Sequence, residues 1–364
     1  MGALAEAAVG AIGVLAVDED SKSTLTCAGA CQEVVEALQQ HITVPALAQL
    51  ACIAIANLAT HADNKATLAQ VGACETVVSA LQYHVSAVGV VIGACAAIQN
   101  LAIDNDNRSI LGRAGACEAV TNALQEHVFD VGASHEACHA IGNLAANNNY
   151  DNLAALGGAG ACEIVVQALQ QHGSVPTIAE GASAALFNLS FDANNRASLA
   201  RAGACEAAVA ALRQHSTVGR IAERACRAIS FLAVDEDSRA SLVRAGVCEV
   251  VVAALKQHMS DADCACHAAA AITNLAASDD ARSALGLAGA CEVTVAALRQ
   301  HMFLPAMAET ACTTIANLAF NNAANRQALI GANACKTVAD ALRQHRHVPR
   351  VAQPAENAMN LLGC

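Results

Sequence analysis

Eight cysteines, Cys31, Cys74, Cys117, Cys162, Cys205, Cys248, Cys291 and Cys335, recur at steps of 43, 43, 45, 43, 43, 43 and 44 residues. Self-similarity at one fixed period over a whole chain excludes an ordinary globular core. Each period is one supersecondary unit that cannot bury its own apolar faces, so stability must come from stacking neighbours. The units fall at about 18–60, 61–103, 104–148, 149–191, 192–234, 235–277, 278–320 and 321–364, with 1–17 reading as a lone third helix. The two extra residues of the 45-step lie among Asn147, Asn148, Asn149 and Tyr150, at a loop. No linker interrupts the series, so residues 18–364 are expected to form one continuous domain.

One unit, "DNKATLAQVGACETVVSALQYHVSAVGVVIGACAAIQNLA", predicts three helices. The first covers about 64–71, capped by polar residues such as Asp63 and ended by Gly72. The second covers about 73–84, with Val77, Val78, Ala80 and Leu81 at helical spacing. The third covers about 87–102. Pro45, Pro176, Pro305 and Pro349 each follow the recurring His by four residues, which suits the first turn of a third helix.

Hydrophobic residues make up 55% of the chain but aromatics only 2%, and Trp is absent, so small side chains must fill closely packed helices. The net charge of −12 argues against general nucleic-acid binding. Residues 85–103 lack charge, but Gln99, Asn100 and the charged counterparts in other units argue against a membrane span. The 17 cysteines form rows rather than pairs. A second row, Cys52, Cys95, Cys138, Cys226 and Cys312, accepts Ser183 and Ala269 as equivalents. That pattern asks for small buried side chains, hence reduced thiols and a cytoplasmic or nuclear setting.

The run "NKATLAQVGAC", then "VVSAL", then "ACAAIQNLA" is similar to the armadillo repeat, in eight in-register copies. The resemblance implies an all-α, right-handed solenoid of about eight three-helix repeats. It also implies a concave groove lined by third helices, a non-enzymatic scaffold binding extended protein segments there, and no cofactor.

The candidate groove row is Asn57, Asn100, Asn143, Asn188, Asn274 and Asn317. An Asn amide offers a donor and an acceptor, and so can bond a passing backbone; bonding to a neighbouring loop is the structural alternative. In importin-alpha proteins this Asn is paired with a Trp one turn earlier. Here Ile53, Ala96, His139, Ala184, Ala270 and Thr313 stand there, so that mode of reading basic signals is not expected. Repeat five departs from the row. Phe231 replaces Asn, with Arg220, Arg224 and Arg227 on the same helical face. These four form either a pocket for an acidic or phosphorylated segment or a solvated face paired with Glu223 and Glu180.

"HEACH", residues 135–139, matches the H-E-x-x-H zinc signature. His135 and His139 nevertheless sit in the third helix of repeat three, and Ala145 stands where the longer signature needs a third His. Two imidazoles leave zinc short of the three protein ligands of a catalytic site. The expectation is two groove-facing histidines, no metal and no catalytic residue, with a zinc enzyme as the remote alternative. The other His row, His41, His84, His127, His172, His215, His258, His301 and His345, ends the second helices, where imidazole complements the helix dipole. Finally, residues 3–17 are too apolar for a solenoid end cap. Additional protein is expected over this helix, and a structural subunit of a larger assembly is the alternative function.

Overall fold

The computed structural model describes the backbone of residues 2–364 and the side chains from Leu4 onward. Among the described residues there are 25 α-helices, one short 3-10 turn and no strand. The chain is an α-solenoid. It divides into two compact units, residues 1–202 and 203–364.

In the first unit, repeat two comprises Ala62–Gln70, Ala73–Tyr83 and Val88–Leu101. Gly72, with φ of 82°, makes the left-handed corner between the first two helices, a conformation that glycine adopts without Cβ cost. Third helix packs on third helix, and the interface is built from small residues. Ala51, Cys52, Ile55 and Leu58 of one helix are fully buried, as are Ala94, Cys95 and Ile98 of the next. The helix Gly2–Leu15 packs in the register of a third helix. Asn57 donates its amide to the Gly13 carbonyl at 2.9 Å, as Asn100 does to Ala56 one repeat later at 2.9 Å. The two-residue insertion falls at the 3-10 turn Ala146–Asn148, where Asn147 takes φ of 57°.

The second unit follows the same plan. Pro305 and Pro349 open two of its third helices, as Pro45 and Pro176 do in the first unit. Asn333 replaces the corner glycine of the last repeat at φ of 65°. Asn tolerates this region better than other side chains because its amide bonds locally.

Two further rows lie on the first helices. Asn107, Asn195 and Asn325 are buried, and each donates to the backbone of the preceding first helix. The acceptors are Lys65 at 3.1 Å, Leu153 at 3.0 Å and Arg282 at 3.0 Å. Beside them runs a basic row. Arg239 donates to the Ala233 and Val234 carbonyls at 2.9 and 2.7 Å, and Arg282 to Ala276 at 3.1 Å. These cations satisfy the last carbonyls of a third helix, where the helix dipole also favours positive charge. Arg108 and Arg282 are each only 4% exposed, which shows how fully this capping is built into the core.

The expectation that all the thiols stay reduced fails at the last repeat. Cys335 is bonded to Cys364, with Cα atoms 6.0 Å apart. Cys364 lies outside both rows, at the end of the final helix, so the argument from equivalent positions did not cover it. The other described cysteines are free. Burial pushes the thiols of Cys52, Cys74, Cys117 and Cys312 up to about 12, and those of Cys205 and Cys248 to about 11.

Candidate functional site

The third helices carry the asparagine row at a regular spacing. Asn143 donates to the Gln99 carbonyl at 2.8 Å and Asn188 to Gly142 at 2.8 Å. In the second unit Asn274 donates to Ser230 at 2.9 Å and Asn317 to Thr273 at 3.1 Å. Each acceptor is the residue just before the equivalent position of the preceding repeat. Every one of these Asn side chains is half-buried. The neighbour-bonding alternative therefore describes the Nδ2 end, with a helix in place of a loop as the partner. One N–H is committed to the scaffold, and the amide plane is thereby fixed. The carbonyl Oδ1 remains as an acceptor. In the last repeat Cys335 and Pro349 stand 44 residues after Cys291 and Pro305, so Leu361 takes the position of Asn317 and the row ends at Asn317.

The histidine row has a different role from the one its position suggested. Nε2 of His84 lies 2.6 Å from the Ile42 carbonyl, and that of His127 lies 2.7 Å from Val85. His172 reaches Val128 at 2.8 Å, His258 reaches Ser216 at 2.6 Å, His301 reaches Met259 at 2.6 Å and His345 reaches Met302 at 2.7 Å. A carbonyl only accepts, so Nε2 carries the proton. These imidazoles tie each second helix to the turn of the preceding repeat, a specific bond beyond the general dipole effect. Sequence spacing could not show this, because the acceptor is a backbone atom 42–44 residues away.

In the HEACH segment the rings of His135 and His139 are 4.9 Å apart, edge to face. His139 donates from Nε2 to the Thr177 carbonyl at 3.1 Å. Its ring lies over Gly181, where a Cβ would come within 2.5 Å of it. His135 Nδ1 is 3.8 Å from Glu136. Burial raises the Glu136 carboxyl above its usual range, while His135 opposes the shift. Among the described residues, no group of three His, Cys, Asp or Glu side chains is placed to hold a metal ion. His139 instead works as a packed contact between two third helices.

In repeat five, Arg227 is 3.4 Å from Glu223, and Glu223 is 3.9 Å from His267. Burial, then Arg227, lowers the His267 pKa. The charge of Arg227 is therefore partly met within the protein. Arg220 is exposed, whereas Arg224, Arg227 and Phe231 are half-buried along the helix Gly219–Leu232.

Among the described residues no single helix is long and apolar enough to cross a membrane. The helix Gly2–Leu15 and the turn after it expose Leu4, Val14, Leu15 and Val17, at 78, 75, 53 and 70%. Exposure on that scale leaves a substantial apolar surface uncovered.

No family model and no curated protein matches the chain. Solved structures do. A structure from work on a phosphorylation switch controlling the interaction between cadherin and beta-catenin superposes with a TM-score of 0.83 at 14% identity, over 100% of this chain and 76% of the other. An engineered protein matches at a TM-score of 0.64 and 21% identity, over 99% of this chain and 95% of its own. A designed armadillo repeat protein matches at 0.58 and 23%, over 67% of this chain and 99% of its own. The fold is that of an armadillo-like repeat protein, an architecture commonly used as a protein-interaction scaffold.

Proposed function

We propose that this chain is a non-enzymatic scaffold that binds extended protein segments along the row of its third helices. The observation that carries this reading is the fixed asparagine row. Because Nδ2 is already bonded to the preceding helix, each Oδ1 is held in one orientation, an acceptor whose rotamer entropy is largely lost before any ligand arrives. Packed helices lie about 8–10 Å apart and an extended chain rises about 3.3 Å per residue, so one rung meets two or three ligand residues. His135 in the first unit and, in the second, Arg220, Arg224, Arg227 and Phe231 along the helix Gly219–Leu232 would select side chains. The pairing of Arg227 with Glu223 weakens the case for an anionic partner there. A cytoplasmic or nuclear setting fits the many free buried thiols. A single continuous domain over 18–364 is part of the same proposal.

Asn100→Ala together with Asn143→Ala tests the reading. Loss of a copurifying ligand from a folded double variant supports it, and unchanged affinity contradicts it.

A second reading rests on the apolar N-terminal helix. Its exposed Leu4, Val14 and Leu15 would be covered by another protein, as in a structural subunit of a larger assembly. Mutating these three to polar residues separates the two readings, because it would release such a subunit while leaving groove ligands bound.

A further inference from the structure

In the second unit the thiols of the first cysteine row tie each repeat to the next. Cys205 donates from Sγ to the Ser238 carbonyl at 3.7 Å, Cys248 to Ala281 at 4.0 Å and Cys291 to Asn325 at 3.7 Å. Each acceptor lies on the first helix of the following repeat. Cys335 holds the same row position, but its Sγ is joined to Cys364, 29 residues on. The tie therefore runs within one repeat, from the second helix Ala334–Gln344 to the second residue past the third helix Pro349–Leu362. We propose that this bond is a latch on the last third helix, opened by a thiol of the glutathione class and closed by the corresponding disulfide.

The helix depends on the latch because little else holds it. Leu361 takes the row position of Asn317, so the side-chain amide that ties most third helices to the one before is missing. Pro354 stands inside the helix and has no N–H to give to the Arg350 carbonyl, which its ring also crowds. A pocket of about 480 Å³, lined in part by the polar Asn317, Gln353, Asn357 and Asn360, opens between this helix and Pro305–Ala319. The helix buries only four residues, Val351, Ala355, Ala358 and Leu362, where Val88–Leu101 buries eight. Few buried apolar contacts mean that local opening costs little.

The bond is also within reach of an attacking thiol. Cys364 is exposed and Cys335 half-buried, whereas Cys205, Cys248 and Cys291 are buried. Exchange requires a thiolate to reach one sulfur, and exposed disulfides are the labile ones. A glutathione thiolate attacks Sγ of Cys364. The Sγ–Sγ bond breaks as the mixed disulfide forms, and the electron pair leaves on Sγ of Cys335, which takes up a proton. A second glutathione thiolate attacks the glutathione sulfur of the mixed disulfide and releases Cys364, which is protonated in turn. Two protein thiols and one glutathione disulfide result, and the reverse sequence closes the latch. With the bond reduced, the helix Pro349–Leu362 lifts and uncovers its apolar inner face.

The test is hydrogen–deuterium exchange of the full chain, read by mass spectrometry after equilibration in buffers of varied glutathione to glutathione disulfide ratio. Differential alkylation of the same samples gives the fraction of Cys335 bonded to Cys364. We expect that fraction to fall and recover with the ratio. Exchange in residues 349–362 should be about tenfold or more faster in the reduced form, since a bond across a loop of this length removes much of the open chain's freedom. Pro305–Ala319 should keep its protection. Cys364→Ser changes an exposed position and should exchange like the reduced chain at every ratio. A bond that glutathione does not reduce, equal exchange of 349–362 in both forms, or a Cys364→Ser variant protected like the oxidised chain would overturn the proposal. Loss of protection throughout the chain on reduction would also overturn it, because the latch acts on one helix.

Discussion

Nε2 of His84 donates to the carbonyl oxygen of Ile42 across 2.6 Å, joining the end of one second helix to the turn of the repeat before it. The imidazole is 8% exposed, so water does not readily replace it. Repeated bonds of this kind set the spacing of second helices, while the asparagine row sets that of third helices.

His84→Ala should therefore destabilise the chain by about 1–3 kcal/mol, the cost of leaving a buried carbonyl unsatisfied plus lost packing. His41 is the informative control. It occupies the same register, but no preceding second helix supplies an acceptor among the described residues. His41→Ala should cost clearly less. Equal losses by chemical denaturation would contradict the inter-repeat role.

The first-helix row makes a sharper demand on its neighbours. A Cβ on Gly112 would sit 1.9 Å from Oδ1 of Asn152, which itself donates to the Leu144 carbonyl at 3.0 Å. Gly112→Ala improves helix propensity by about 1 kcal/mol, yet it should destabilise the protein, because Asn152 must leave its partner. A raised thermal midpoint in this variant would show that the Asn can relocate freely.

Cysteine chemistry separates the rows from the exceptions. A thiol pushed to about 12, such as Cys52, holds on the order of one thiolate in 10⁴ at pH 8. The sign is that of a buried acid whose charged form is disfavoured, so reactivity returns only at high pH or on unfolding. Native alkylation should label exposed Cys27 first and half-buried Cys266 next, and should spare both rows. Mass spectrometry without reductant should find Cys335 joined to Cys364. Rapid native labelling of Cys95 or Cys138 would contradict the packing described.

For the HEACH segment, protein purified without added metal should contain no stoichiometric zinc, because His139 spends Nε2 on Thr177. Gly181→Ala should displace the His139 ring and lower stability by about 1–3 kcal/mol, as overpacking usually does. Bound zinc that is lost in His135→Ala with His139→Ala would restore the metalloenzyme reading.

Period, helix count per repeat, corner glycines and first-turn prolines were all legible in the sequence, because each is a local signal. Gly72 and Pro45 announce their conformations wherever they stand. The asparagine row was legible as a row, but its inward bond was not, because Gln99 accepts through its backbone and side-chain identity there is irrelevant. The buried Asn107 and Arg108 were overlooked for a related reason. They stand among polar neighbours at a helix start, where capping already explains them. The Cys335–Cys364 bond depended on where the last helix ends in space.

Binding of partners at the third-helix face is tested most directly by photocrosslinking. A photoreactive amino acid placed at Ala96, on that face one turn before Asn100, can be compared with one at exposed Ser79 on a second helix. After irradiation with native partners, adduct peptides are sequenced. The account predicts adducts at position 96, mapping to one extended partner segment and lost when Asn100→Ala and Asn143→Ala are added. Adducts at position 79 with none at position 96 would contradict it.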